Sequence, residues 1–164
     1  MSLMISTKSF GGDARTAARA RQMLVLANRV LANEGVVDAY GHVSIRNPEH
    51  PDTFFISRAI SPEFVTESDI LELDMEGEVV TPDTGMKPFG ERVIHSSIYQ
   101  VRPDVQAICH AHPHEIIPFT ACDIPLRSVY HSNCTFYEGI PVYRALEPSS
   151  GLHIATREGG QGMA

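Results

Sequence analysis

The spacing of apolar positions changes along the chain, and each change marks an element. Met23, Leu24, Leu26, Ala27, Val30 and Leu31 recur at helical spacing. Asp13 is a natural N-cap before them and Gly35 a natural stop after them, so a long helix to about Glu34 is expected. Gly41 to Arg46 reads as a short strand with Val43 and Ile45 on one face. Two prolines between Asn47 and Asp52 force a turn, and Phe54 to Ser57 reads as a second strand. Thr66 to Asp69 is rich in N-cap types and predicts a short helical turn. Ile70 to Asp74 is a strand, and Met75 to Glu78 turns it back into Val79-Val80. Pro88 to about Gln100 returns to helical spacing through Val93, Ile94, Ile98 and Val101. The continuous apolar run Val105 to His110 predicts a buried strand. Glu115 to Ala121 predicts another helix, and the apolar stretches Ile124 to Tyr130 and Ile140 to Ala145 follow turns containing proline or glycine. Hairpins mix with helix–strand units, which predicts an α/β layered domain. No repeat or linker divides the chain, so residues 1–164 are expected to form a single domain. Residues 1–12 are expected to be a flexible N-terminus. Residues 148–164, glycine-rich at their end, are expected to be a loop or an incomplete element.

Composition narrows the class. With 43% hydrophobic and 20% charged residues over 164 positions, the chain can bury a real core. A net charge of −7 argues against nucleic-acid binding. No apolar run is long enough to span a membrane, and Met1 to Phe10 lacks a signal-peptide core. Cys109, Cys122 and Cys134 are odd in number and show no metal-type pairing, as expected of free thiols in a reducing cytoplasm.

The candidate chemistry centres on Cys109-His110-Ala111-His112-Pro113. In a strand, His110 and His112 share a face and can aim two imidazoles at one point, while Cys109 faces the core. Imidazole suits zinc and several other divalent metals. The plainer alternative is a pair of surface histidines. Glu91, early in the helix that feeds this strand, can ligate a metal or carry a proton; otherwise it is a solvated first-turn glutamate. His95 lies one turn further on the same face, either orienting Glu91 or packed as a structural side chain. Tyr130 and His131 sit in a polar segment and can donate protons. His50 and His114 read as exposed.

Taken together, the segments Gly41-His42-Val43-Ser44-Ile45-Arg46, Val65 to Ile70, Glu91-Arg92-Val93-Ile94-His95, Arg102-Pro103-Asp104-Val105 and His110-Ala111-His112 resemble the class II aldolase/adducin family in order and spacing. The likeness runs from near Arg15 to near Ala145. That family includes fuculose-phosphate and rhamnulose-phosphate aldolases, ribulose-phosphate 4-epimerases and aromatic-acid decarboxylases. The resemblance implies a three-layer αβα sandwich around a mainly antiparallel sheet. It implies His110 and His112 as ligands of a divalent metal, zinc first and manganese or cobalt as alternatives. Glu91 would bind the empty site and then shuttle a proton. It also implies a homotetramer acting on a small molecule at subunit contacts, with Tyr130 and His131 near the place of a proton-donating tyrosine. A third metal histidine is implied beyond Ala164, together with the last elements of the fold; His153 lies too early to replace it well.

The departures from the family pattern concern the substrate. His42 replaces an asparagine in front of Ser44. Phe89 and Gly90 stand where two serines hold phosphate. Arg58, in place of a Thr-Gly segment, offers a planar fork suited to a carboxylate. His42, Ser44, Arg58, Phe89 and Gly90 are therefore the expected substrate contacts. The expected activity is a metal-dependent carbon–carbon lyase, aldolase or decarboxylase in type, acting through an enolate or enediolate on a carboxylated or hydroxy-carbonyl compound. The alternatives are a sugar-phosphate aldolase, a 4-epimerase, or a non-catalytic adducin-like interaction module.

Overall fold

The structure is a computed structural model that describes residues 2–5, 16–80, 82, 85–143, 154 and 156–163. Five strands form its centre: β1 (Ser2–Ile5), β2 (His42–Arg46), β3 (Thr53–Ser57), β4 (Ile70–Asp74) and β5 (Ala107–His110). Their order across the sheet is β1-β5-β2-β3-β4, and every neighbouring pair is antiparallel.

Alternation along these strands builds the layers. Phe54, Ile56, Leu71, Leu73 and Ile108 face one side and pack with Ile94, Ile98 and Tyr99 of α2 (Arg92–Val101). Val43, Phe55 and Ile70 face the other side and pack with Ala20 and Leu24 of α1 (Ala17–Asn33). Each fully buried aliphatic or phenyl side chain stabilises the fold by roughly 1.5–3 kcal/mol. The result is an αβα sandwich of three layers around an antiparallel sheet. A one-turn helix, α3 (Ile117–Thr120), follows the sheet, and a final helix, α4 (Arg157–Met163), packs beside α2. Close approach explains the glycines there. A Cβ at Gly160 would lie 2.6 Å from both Ser97 Oγ and the Val93 carbonyl.

Several boundaries differ from the sequence expectation for physical reasons. Helix α1 is capped by Thr16, whose hydroxyl accepts from Arg19 N at 3.2 Å; Asp13 lies outside the described residues. Its inward stripe is Ala20, Leu24 and Asn28, while Met23, Leu26 and Val30 are exposed. Buried Asn28 meets the apolar setting by donating to the Leu24 carbonyl at 2.8 Å. Helix α2 begins at Arg92 and not Pro88, because Pro88 pairs instead with Arg58 in an isolated bridge. Val101, expected inside, is exposed. Val79 makes only a single bridge to Leu73. Ser2–Ile5, expected to be flexible, adds to β5 as an edge strand, and residues 157–163, expected to be a loop or an incomplete element, form α4. The helix expected over Glu115 to Ala121 shrinks to α3, and Ile124 to Tyr130 takes no regular structure. The stretch beyond Tyr143 to Ala145 and the residue His153 lie outside the described residues.

Candidate metal and substrate site

The site forms where β2 and β5 end side by side. His42 and His110 are directly paired across these two strands, so both imidazoles leave the sheet on the α2 side. Their rings stack with centroids 4.7 Å apart. Gly41 permits the strand entry, since a Cβ there would lie 2.7 Å from Val37 Cβ and 3.1 Å from the His110 carbonyl. Glu91, the residue capping α2, reaches the same point: its Oε2 lies 3.3 Å from His110 Nε2 and 3.8 Å from His42 Nε2. Donor atoms of His42, Glu91 and His110 all lie within 4.8 Å of one another. His112 sits just past β5, with its Nε2 2.9 Å from His110 Nε2 and its Nδ1 3.2 Å from Asp38 Oδ1. Asp38 is itself fixed by the backbone N–H groups of Tyr40 and Gly41, at 3.0 and 2.8 Å.

These distances fit a cation. Two ligands at tetrahedral zinc, each about 2.0–2.2 Å from the ion, stand roughly 3.4 Å apart. His42 Nε2 and His110 Nδ1 are buried without a hydrogen-bond partner, and an orphaned buried nitrogen calls for a ligand or a partner of some kind. Asp38 holding His112 Nδ1 is the usual way to aim an imidazole at a metal.

Charge is distributed accordingly. The Glu91 carboxyl is held well below the usual carboxylate range, first by His110 and then by His42, against the opposing effect of burial. At 3.8 Å the His42 contribution is attraction across a gap and not a formed hydrogen bond. Burial pushes His42 and His95 below the usual imidazole range, so both rings are neutral. Burial pulls the Asp38 carboxyl upward, but bonds from His112, Tyr40 and Gly41 outweigh it and leave the group lowered.

The remaining expected contacts separate. Phe89 covers His42, with ring centroids 4.5 Å apart, and Gly90 is exposed beside it. Ser44 is corrected: it is fully buried, and its hydroxyl is bonded at 2.6 Å to His95 Nδ1 and at 2.8 Å to the Tyr99 hydroxyl, so it supports the site from behind. Arg58 turns one edge to Asp69, with Nε to Oδ1 at 2.6 Å. Tyr130 and His131 are exposed and pack on each other, centroids 4.1 Å apart; among the described residues no contact joins them to the cluster. His50 and His114 are exposed as expected. His95 is packed as a structural side chain, one of its two expected readings. Asp38 and Tyr99 were missed; the one trace of Tyr99 was its i, i+4 spacing from His95.

The family described as Class II Aldolase and Adducin N-terminal domain matches residues 22–161. The chain belongs to this family. Among class II aldolase and adducin proteins, the decarboxylase tropJ of Talaromyces stipitatus is 38% identical over 115 residues, covering 68% of this chain and 42% of the relative. The 3,4-dihydroxyphthalate decarboxylase of Arthrobacter keyseri is 30% identical, covering 70% of this chain and 48% of the relative. The L-fuculose 1-phosphate aldolase from Glaciozyma antarctica superposes with a TM-score of 0.69 at 31% identity, covering 80% of this chain and 55% of that structure. The chain thus spans about half the length of the curated relatives it matches. No described helix is long and apolar enough to cross a membrane.

Proposed function

We propose that this chain carries a divalent-metal site of a carbon–carbon lyase acting on a carboxylated, aromatic substrate. The observation that carries the reading is the convergence of Glu91, His110 and its neighbours at the paired ends of β2 and β5. His110 and His112 would hold the cation with Glu91, zinc being the first candidate and manganese or cobalt the others. A bound cation would supply Lewis acidity next to the oxygen where negative charge grows as the bond breaks. The protein's own groups do the rest. Glu91 stays ionised and is placed to accept or carry a proton. Phe89 excludes water from the His42 side.

The substrate class is read from the residues beside the cluster and from Arg58, which bridges to Pro88 next to Phe89. Phe89 and Gly90 provide no side-chain donor for a phosphate, whereas an aromatic ring can pack on Phe89, and the exposed part of Arg58 suits a carboxylate. Decarboxylases are among the relatives that match, which favours loss of carbon dioxide over aldol cleavage. Exposed Ile124, Val129, Tyr130 and Tyr137 support assembly into a homo-oligomer, a tetramer by analogy with the family, in which Tyr130 or His131 would meet a neighbour's site. The free cysteines support a reducing, cytoplasmic setting.

Metal analysis of protein purified from metal-replete culture tests the reading. One transition metal per chain is expected, and none after His110→Ala. Loaded protein should release carbon dioxide from a hydroxylated aromatic acid. Cleavage of fuculose 1-phosphate without such release would overturn the substrate assignment.

A further inference from the structure

We propose that a buried hydrogen-bond chain from Tyr99 through Ser44 and His95 fixes His42 as its Nε2–H tautomer, so that His42 offers a donor to an anionic substrate oxygen and not a lone pair to the cation. The chain is continuous: Tyr99 hydroxyl to Ser44 Oγ at 2.8 Å, Ser44 Oγ to His95 Nδ1 at 2.6 Å, and His95 Nε2 to His42 Nδ1 at 2.9 Å. All four side chains are buried.

The direction of the chain follows from its closed end. Ser44 is the one hydrogen-bond partner of the Tyr99 hydroxyl among the described residues. The phenol has a single proton, and a buried O–H without an acceptor is costly, so Tyr99 donates to Ser44 Oγ. The Ser44 proton then goes to its other partner, and His95 Nδ1 accepts it. His95 therefore carries its own proton on Nε2 and donates to His42 Nδ1. His42, accepting at Nδ1, carries its proton on Nε2. The reverse direction would leave the Tyr99 proton with no acceptor. The closed end is itself clamped: the Arg46 guanidinium lies 4.7 Å over the Tyr99 ring, and its Nη2 donates to the Tyr99 carbonyl at 2.8 Å.

The open end is His42 Nε2, buried, without a hydrogen-bond partner and aimed at the space beside Glu91. An N–H there cannot ligate a metal. It meets a substrate carboxylate or the oxygen that gains charge when the carbon–carbon bond breaks. The proximity of His42, Glu91 and His110 thus divides by role: Glu91, His110 and His112 face the cation, and His42 faces the anion. His95, Ser44 and Tyr99 are positioning residues. What the N–H meets rests on the lyase reading above; the tautomer does not.

Nitrogen-15 NMR of the full chain labelled at histidine separates the two. The His42 signals, assigned by their loss in His42→Gln, should show an unprotonated Nδ1 and a protonated Nε2; protonation at Nδ1 would overturn the proposal. Ser44→Ala, which removes the proton donated to His95 Nδ1, should populate the other His42 tautomer, and an unchanged spectrum in a folded variant would count against the relay. In titrations with cobalt(II), His42→Gln should keep the affinity within about threefold, whereas His112→Ala should lose more than about tenfold. An equal loss in His42→Gln would make His42 a ligand and overturn the assignment. If the unaltered chain takes up no cobalt, the metal reading fails while the spectrum still decides the tautomer.

Discussion

Two stretches of this protein treat their polar and aromatic side chains in opposite ways. Around β2, α2 and β5, tyrosine, serine and histidines are buried and spend their hydrogen bonds on one another. From Pro113 to Tyr143 no residue is buried, and Val129 is 91% exposed. The first stretch fixes atoms to within hydrogen-bond tolerance without help. The second offers Tyr130 and His131 from a surface that no described residue holds against the site. The metal-facing half of the proposed centre is therefore self-supporting, and its proton-donating half depends on whatever covers that surface.

The sharpest way to break the contrast is His95→Ala. It removes a buried ring and strands both His42 Nδ1 and the Ser44 hydroxyl, which should cost about 3 kcal/mol or more in urea unfolding. A loss below 1 kcal/mol would mean the buried network is not a structural unit. A smaller effect is expected on the acid limb of stability. Burial raises the Asp69 carboxyl, but bonds from Thr66 and Arg58 outweigh this and leave it lowered. A carboxyl that ionises more readily in the folded chain contributes fully above its unfolded pKa of about 3.9, and that contribution fades as pH falls below it. Asp69→Asn should flatten the dependence of stability on pH in that window; an unchanged slope would show that Asp69 is not among the groups responsible. The smallest effect is expected at the exposed stretch. Tyr130→Phe should leave stability within about 0.5 kcal/mol, and a larger loss would show that the hydroxyl has a structural partner.

Much of the sheet was legible because alternation is a local property. His42 and Ser44 face one way, Val43 and Ile45 the other, and β4 falls on Ile70–Asp74 as its pattern implies. Helix faces were harder. Leu26 and Val30 fit the apolar stripe of α1, yet Asn28 is inside and they are not, because a polar side chain that bonds its own helix can be buried cheaply. Ser2–Ile5 and the glycine-rich α4 were illegible for another reason: each is defined by a distant partner, β5 in one case and the Val93–Ser97 surface in the other. The site divided along the same line. Glu91, His110 and His112 announce themselves by chemistry and order. Asp38 acquires meaning only once β2 and β5 pair, and the chain behind His42 only once β2 and α2 touch.

The direct pairing of His42 with His110 has a practical consequence. A slip of one residue between β2 and β5 would turn His42 to the α1 side and bring Val43 into its place, since neighbouring residues on a strand face opposite ways. A mispaired chain would keep much of its secondary structure and have no site at all. Under the proposed function, specific activity would then count correctly zipped molecules and gauge folding yield in a way that helix content cannot match.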